Sequence, residues 1–229
     1  MAIVVVNESK SVTTPQALAI TKGLQYFSQQ VTTAWGLPAN IPTFAAARDP
    51  KSWNVCIVDQ FPNPAMTNTA LGYHELLNGL PIAYIRANCY GSRNPLGTYI
   101  KPLIIRGKQI TKPIMTPGMF SVICHELAEM LIDPNINRTA KDPIGRNWLM
   151  EICDHTVGQF LIPINNANAI APDFTTPAFY DINGKAPFSY LNVPTKPFVL
   201  PAGAYGYYVG TNGQPIPVSA AAARVPDVE

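Results

Sequence analysis

A chain of 229 residues, 47% of them apolar, is long enough for one sizeable core, and a single folded body with at most a decorated terminus is expected. Net charge is only +2, with a sequence pI near 8.3 and no conspicuous Lys/Arg cluster, which argues against nucleic acid or an anionic membrane surface as partner. Only 13% of residues are charged, against roughly 25% in ordinary soluble domains, and there are 23 prolines, the composition of a chain that buries part of its surface against neighbouring subunits.

Residues 3–6 are β-branched and read as a first strand. Thr14 then serves as N-cap with Pro15 at the first helical position, and Leu18, Ile20, Leu24, Phe27, Val31 and Trp35 recur at helical spacing, so a helix is expected to about Thr33, stopped by 36–38. A strand over 53–59 precedes a loop with Pro62, Pro64 and Asn68, and a turn through Gly72 and His74 leads into a strand over 81–86. Residues 88–97, with Cys89 and Arg93, read as a loop. A strand over 99–106 is interrupted at Pro102 and is therefore placed on an edge.

The stretch 121–134, S-V-I-C-H-E-L-A-E-M-L-I-D-P, opened around Thr116-Pro117, organises the rest. At about 100° per residue His125, Glu126, Glu129 and Asp133 share one face, and Phe120, Ile123, Cys124, Leu127, Met130 and Leu131 fill the other. Pro134 ends the helix. No Lys or Arg lies between Gly118 and Arg138, so the acidic face has no local compensation; it is either solvated or gathered about a cation. A His at i and a Glu at i+4 can meet one metal ion, with Glu126 beside it as general base. The spacing is that of the H-E-x-x-H zinc-hydrolase helix with Glu129 replacing the second His, and that carboxylate hardens the site toward calcium, manganese or magnesium.

A turn over 141–145 is followed by an expected helix over 148–161, on which Glu151 and Asp154 share a face and His155 competes with Asp154 as a ligand. Glu151, Asp154 or Asp133 is the candidate third ligand. His74 is expected as a hydrogen-bonding filler, with a distant ligand as the alternative. From residue 163 on, Pro, Asn, Gly and Tyr replace helical periodicity; short strands are expected at 188–191, 198–200 and 205–209, with a turn over 210–213 into 216–218. Tyr205, Tyr207 and Tyr208 read as half-buried β structure. Cys56, Cys89, Cys124 and Cys153 lie far apart without a C-x-x-C pair, which argues for thiols in a reducing compartment and against a cysteine-based zinc site. The first residues lack the features of a signal peptide, and no apolar run approaches a membrane span.

H-E-L-A-E with Asp133-Pro134, followed by Glu151-Ile-Cys-Asp154, resembles a zincin-like group whose helix reads S-H-E-x-x-E-x-x-x-D-P and whose second motif reads E-I-x-D. Some members of that group are hydrolases, and others are encoded among the structural genes of tailed bacteriophages. Residues 70–74 and the 173–180 segment are similar to the phage-type members, so the resemblance spans roughly 53–209. It implies an α+β fold: a zincin-like core of mixed sheet and active-site helix over 1–162, a β-rich Pro/Tyr extension over 163–218 packed on that core, and a tail over 219–229. In zincin-like folds the edge strand before the active helix pairs with an extended peptide, and 81–86 is the candidate here. The expected role is that of a structural component of a virion or similar assembly, made in the host cytoplasm and partnered by other protein subunits, without nucleic acid or membrane. It is expected to carry a zincin-like site, functional or vestigial, for a divalent metal, zinc first and calcium or manganese as alternatives, held by His125, Glu129 and a further carboxylate. The alternative is an active metallopeptidase with Glu126 as general base and a peptide substrate.

Overall fold

Short β-branched runs separated by proline and glycine, with two longer helical stretches between them, give an α+β architecture. The computed structural model describes residues 1–66, 70–91, 94–105, 108–109, 111–165 and 167–220, so the expectations at Asn68, Arg93, Arg106 and the end of the tail lie outside the described residues. In chain order, β1 (Ile3–Asn7) and α1 (Thr14–Ala34) are followed by β2 (Thr43–Ala45), β3 (Trp53–Val58), β4 (Gly72–Leu77) and β5 (Leu80–Arg86). Short strands β6 (Thr98–Ile100), β7 (Ile104–Ile105), β8 (Lys108–Gln109) and β9 (Ile114–Thr116) lead into α2 (Met119–Ile132). Then come β10 (Thr139–Lys141), β11 (Asn147–Leu149), β12 (Gln159–Ile164), β13 (Ala167–Pro172), β14 (Tyr205–Val209) and β15 (Pro215–Ser219). Two compact units result, with segments that interleave along the chain.

The first unit comprises Met1–Gln29, Asn40–Leu127 and Gln159–Ala171. Its sheet has the order β2-β1-β3-β5-β4, parallel throughout except for the antiparallel edge strand β4. The 81–86 segment is therefore an interior strand, and the edge belongs to β4. Asn78 and Gly79, at φ 53° and 79°, form the two-residue turn that joins β4 to β5; two positive-φ residues suit the twist of a hairpin. Val4, Val6, Cys56, Val58, Ile82 and Tyr84 pack with Phe61 on one face, and the alternate residues Ile3, Val5, Val55, Ile57, Ala83 and Ile85 are buried on the other. α1 begins one residue earlier than its sequence suggests. Thr13 is the cap: its amide donates to Gln16 Oε1 (2.8 Å), and its Oγ1 accepts from the Gln16 amide (3.4 Å).

The start of α2 is set by contact between glycines. Gly97 takes φ +86°, and a Cβ on Gly118 would lie 2.5 Å from Gly97 N, 2.7 Å from Pro95 O and 2.8 Å from Asn94 O. The Phe120 amide donates to Pro95 O (2.8 Å) across the same contact. Pro102 separates β6 from β7, so the expected 99–106 strand is two pieces in separate two-stranded ribbons.

The second unit comprises Gln30–Ala39, Ala128–Gly158 and Pro172–Glu229. Its antiparallel sheet has the order β10-β11-β14-β15. The fully buried Trp148 meets His155 edge-on (5.5 Å between centroids) and lies 6.0 Å from Phe198, with Phe179 and Tyr180 completing the cluster. The Asp142 carboxylate accepts from Trp148 Nε1 (2.9 Å) and Arg146 Nε (2.7 Å); burial opposes its ionisation, but these bonds outweigh that and lower its pKa.

Residues 148–161 do not form the expected helix. They run from β11 through a turn into β12, because their backbone groups are bonded to distant segments: Ile152 O accepts from the Thr175 amide (2.8 Å) and Asp154 O from the Tyr205 amide (3.1 Å). Residues 188–191 and 198–200 are turns rather than strands, with one bridge between Thr175 and Ser189. The 205–209 and 216–218 strands form as expected. Among the described residues no helix is long and apolar enough to cross a membrane.

Gly118→Ala is expected to lose about 1–3 kcal/mol of stability in urea unfolding, because the added methyl meets only backbone atoms. Gly79→Asn, in open space at a φ that Asn tolerates, is expected to be nearly neutral. Equal losses in the two variants would contradict this account of how α2 is anchored.

Candidate metal centre

α2 is buried on all sides except at His125, which is partly exposed. The acidic face is therefore not a solvated face: Glu126 is 6% exposed, Glu129 3% and Asp133 2%. A buried carboxylate costs several kcal/mol unless something compensates it, so the surroundings of each decide what the helix can do.

Glu126 is met from β4. Strand alternation sends Tyr73 to the Tyr84 and Phe61 side, where the ring centroids lie 5.4 and 5.1 Å away, and sends His74 to the opposite face. There His74 Nδ1 donates to Glu126 Oε2 at 3.1 Å. Gly72, two residues earlier on the same face, lets the helix approach, since a Cβ there would lie 2.7 Å from Val122 Cγ1 and 3.0 Å from Glu126 Oε1. His74 is thus a strand residue rather than part of a turn. Its hydrogen-bonding role was the expected one, and its partner is the candidate general base.

Asp133 is occupied otherwise. Its Oδ1 accepts from the Asn137 amide (3.0 Å) and its Oδ2 from the Arg138 amide (2.8 Å), folding the chain back after Pro134, while the Arg138 guanidinium donates to Ile132 O (3.0 Å) at the end of the helix. Its structural task is to cap the turn that follows α2.

Glu129 stands within 4.8 Å of a ligand atom of Cys153, and it also lies within that distance of His125, one turn earlier on α2. His125 and Glu129 with Cys153, and His74 with Glu126 and Glu129, are His/Glu/Cys groupings that could hold a metal ion. Asp133, Glu151 and Asp154 belong to neither among the described residues. Cys153, read from the sequence as an ordinary thiol, enters the group with His125 and Glu129, on a stretch that is a turn and not the expected helix. The only sequence signal was its position between the two expected ligands.

Around this turn the phenols report a concentration of negative charge. Burial foremost, and then Glu151, Glu129 and Cys153, hold Tyr180 well above the usual tyrosine range. Burial and then Asp154, Glu151 and Glu129 raise the Tyr207 pKa. His155 is fully buried and shares a 2.6 Å hydrogen bond between its Nδ1 and Tyr180 Oη, with Nε2 against Gly206, where a Cβ would lie 2.5 Å away. Burial pushes its pKa down to about 4, opposed by Asp154. It is a neutral core histidine and stands outside both groupings among the described residues.

The donor chemistry fits a metal. An imidazole, a carboxylate and a thiol form a borderline-soft set that suits zinc better than calcium, manganese or magnesium. Comparison with protein-family models, curated proteins and solved structures gave no match to this chain.

His155 supplies a pH test. Its folded pKa lies below the unfolded value of 6.5, so its contribution to stability is full above pH 6.5 and is lost as pH falls toward 4. Between pH 7 and pH 5 the wild type is expected to lose about 2 kcal/mol more than His155→Gln in urea unfolding. Equal pH slopes would show that His155 is not held neutral by the fold.

Proposed function

We propose that this chain holds a divalent metal ion, zinc foremost, through His125, Glu129 and Cys153, and that it does so as a zincin-like structural subunit of a phage-type particle. The observation that carries the metal is the burial of Glu126, Glu129 and Asp133 on a helix without Lys or Arg, with Glu129 gathered beside Cys153 and His125. The zincin-like reading is supported by the motif and by the order of elements: a parallel sheet with one antiparallel edge strand precedes the helix. The phage-type resemblance and the low charge support the assembly role, as do the exposed Ile144, Ile182 and Tyr205 of the second unit.

A structural role is preferred to turnover because of Glu126. A metal of this kind, when bound, polarises a carbonyl and acidifies a water molecule, and Glu126 is the residue placed to take the proton. Here that carboxylate is buried and held by His74. The peptidase reading keeps one observation in its favour, since the same hydrogen bond fixes the carboxylate's orientation as a general base requires.

The purified chain is expected to carry about one equivalent of zinc by mass spectrometry of the metal, lost in both His125→Ala and Cys153→Ser and kept in Glu151→Gln. Chelation is expected to lower Tm. Stoichiometric zinc in both of the first two variants would place the metal elsewhere. No cleavage of a broad peptide library is expected; cleavage abolished by Glu126→Gln with zinc retained would establish the peptidase instead.

A further inference from the structure

Charge is unevenly distributed in this chain. Between Thr98 and Thr116 lie Lys101, Arg106, Lys108 and Lys112 with no acidic residue, so the stretch carries +4 while the other 210 residues sum to −2. The near-neutral total conceals a basic segment. Within it, β6 pairs with β9 and β7 with β8, each a two-stranded ribbon. Ile100 and Ile114 are direct cross-strand partners, each 54% exposed, and Leu103 and Ile104 are 51% and 59% exposed. Lys101, Lys108 and Lys112 are exposed and take part in no ion pair among the described residues.

Single exposed aliphatic residues are ordinary, but four of them in one short segment interspersed with lysines, two of them paired across one ribbon, call for a counterpart. A second copy of the same patch would set like charge against like. Nucleic acid would neutralise the lysines and leave the aliphatic side chains in water. An anionic bilayer surface satisfies both, because phosphates take the lysines while the aliphatic side chains enter the acyl boundary. Strand pairing within the ribbons also satisfies part of the backbone that would approach the interface.

We propose that the β6/β9 and β7/β8 ribbons, with the described residues beside them, are a docking surface for anionic phospholipid, with Lys101, Lys108 and Lys112 on the headgroups and Ile100, Leu103, Ile104 and Ile114 in the interfacial layer. This is peripheral binding, and it is independent of the metal site.

The test is cosedimentation of the full chain with phosphatidylcholine vesicles containing roughly 30% phosphatidylglycerol, against pure phosphatidylcholine vesicles. Binding to the anionic vesicles alone is expected, weakened by salt. Reversing all three lysines (K101E, K108E, K112E) is expected to lower the partition coefficient on the order of a hundredfold. Replacing Ile100, Ile104 and Ile114 by Ser is expected to lower it at least about tenfold with every lysine in place. Unchanged zinc content and circular dichroism certify the fold; should a triple variant not fold, Lys108→Glu and Ile104→Ser are read singly, at about fivefold each. Three results overturn the proposal: no association with anionic vesicles, association indifferent to the serine substitutions, or tighter retention on a DNA duplex than on vesicles. A dimer abolished by the serine substitutions, without vesicle binding, would assign the patch to self-association and overturn it as well.

Discussion

Three carboxylates buried along one helix with no basic residue among them are the constraint on which the surroundings of α2 depend. Removing a carboxylate from water costs several kcal/mol unless charge or hydrogen bonds replace the lost hydration. Each of the three is met differently. Edge strand β4 brings His74 to Glu126, the backbone after Pro134 brings two amides to Asp133, and the turn after β11 brings Cys153 to Glu129. The first two carboxylates each accept a hydrogen bond from the group that meets them. The third arrangement sets a carboxylate beside a thiol, with an imidazole one helical turn away, a combination that could hold a cation.

Wherever backbone periodicity and local caps decide the outcome, the fold was legible in the sequence. The β-branched run of β1, the helical stripe of Ile20, Leu24, Phe27 and Val31, the proline that ends α2 and the Gly-rich turn between β14 and β15 all act within a few residues. Long-range bonding decided the rest. Residues 148–161 have helical spacing, yet Thr175 and Tyr205 claim the carbonyls that a helix would use, and Trp148 is tied to Asp142. Tertiary contacts of this kind override a weak intrinsic preference.

The candidate site divides along the same line. His125, Glu126, Glu129 and Asp133 follow from helix geometry alone, so their common face could be read directly. Which of them keeps a free role could not, because that depends on His74 and on the loop amides. His74 had a local signal that went unused: Asn78-Gly79 marks a hairpin, and a hairpin there makes 72–77 a strand with His74 and Gly72 on one face. Cys153 had almost none. A helix over this segment would present Glu151 and Asp154 together, whereas in the turn Cys153 joins His125 and Glu129.

Exchanging a carboxylate for a thiol changes the chemistry the helix can support. With Glu129 and a second carboxylate the site would be hard and strongly anionic, suited to calcium or manganese and indifferent to imidazole. With Cys153 it is borderline-soft, and the thiol must give up its proton to bind, so metal uptake would be linked to pH. The thiolate also donates more charge to a metal than a neutral imidazole does, which weakens Lewis acidity and favours holding over hydrolysing. His125 is the one residue of α2 that is more than marginally exposed. In the proposed structural role, with Glu126 already bonded to His74, a bound metal would fix the turn after β11 to the helix.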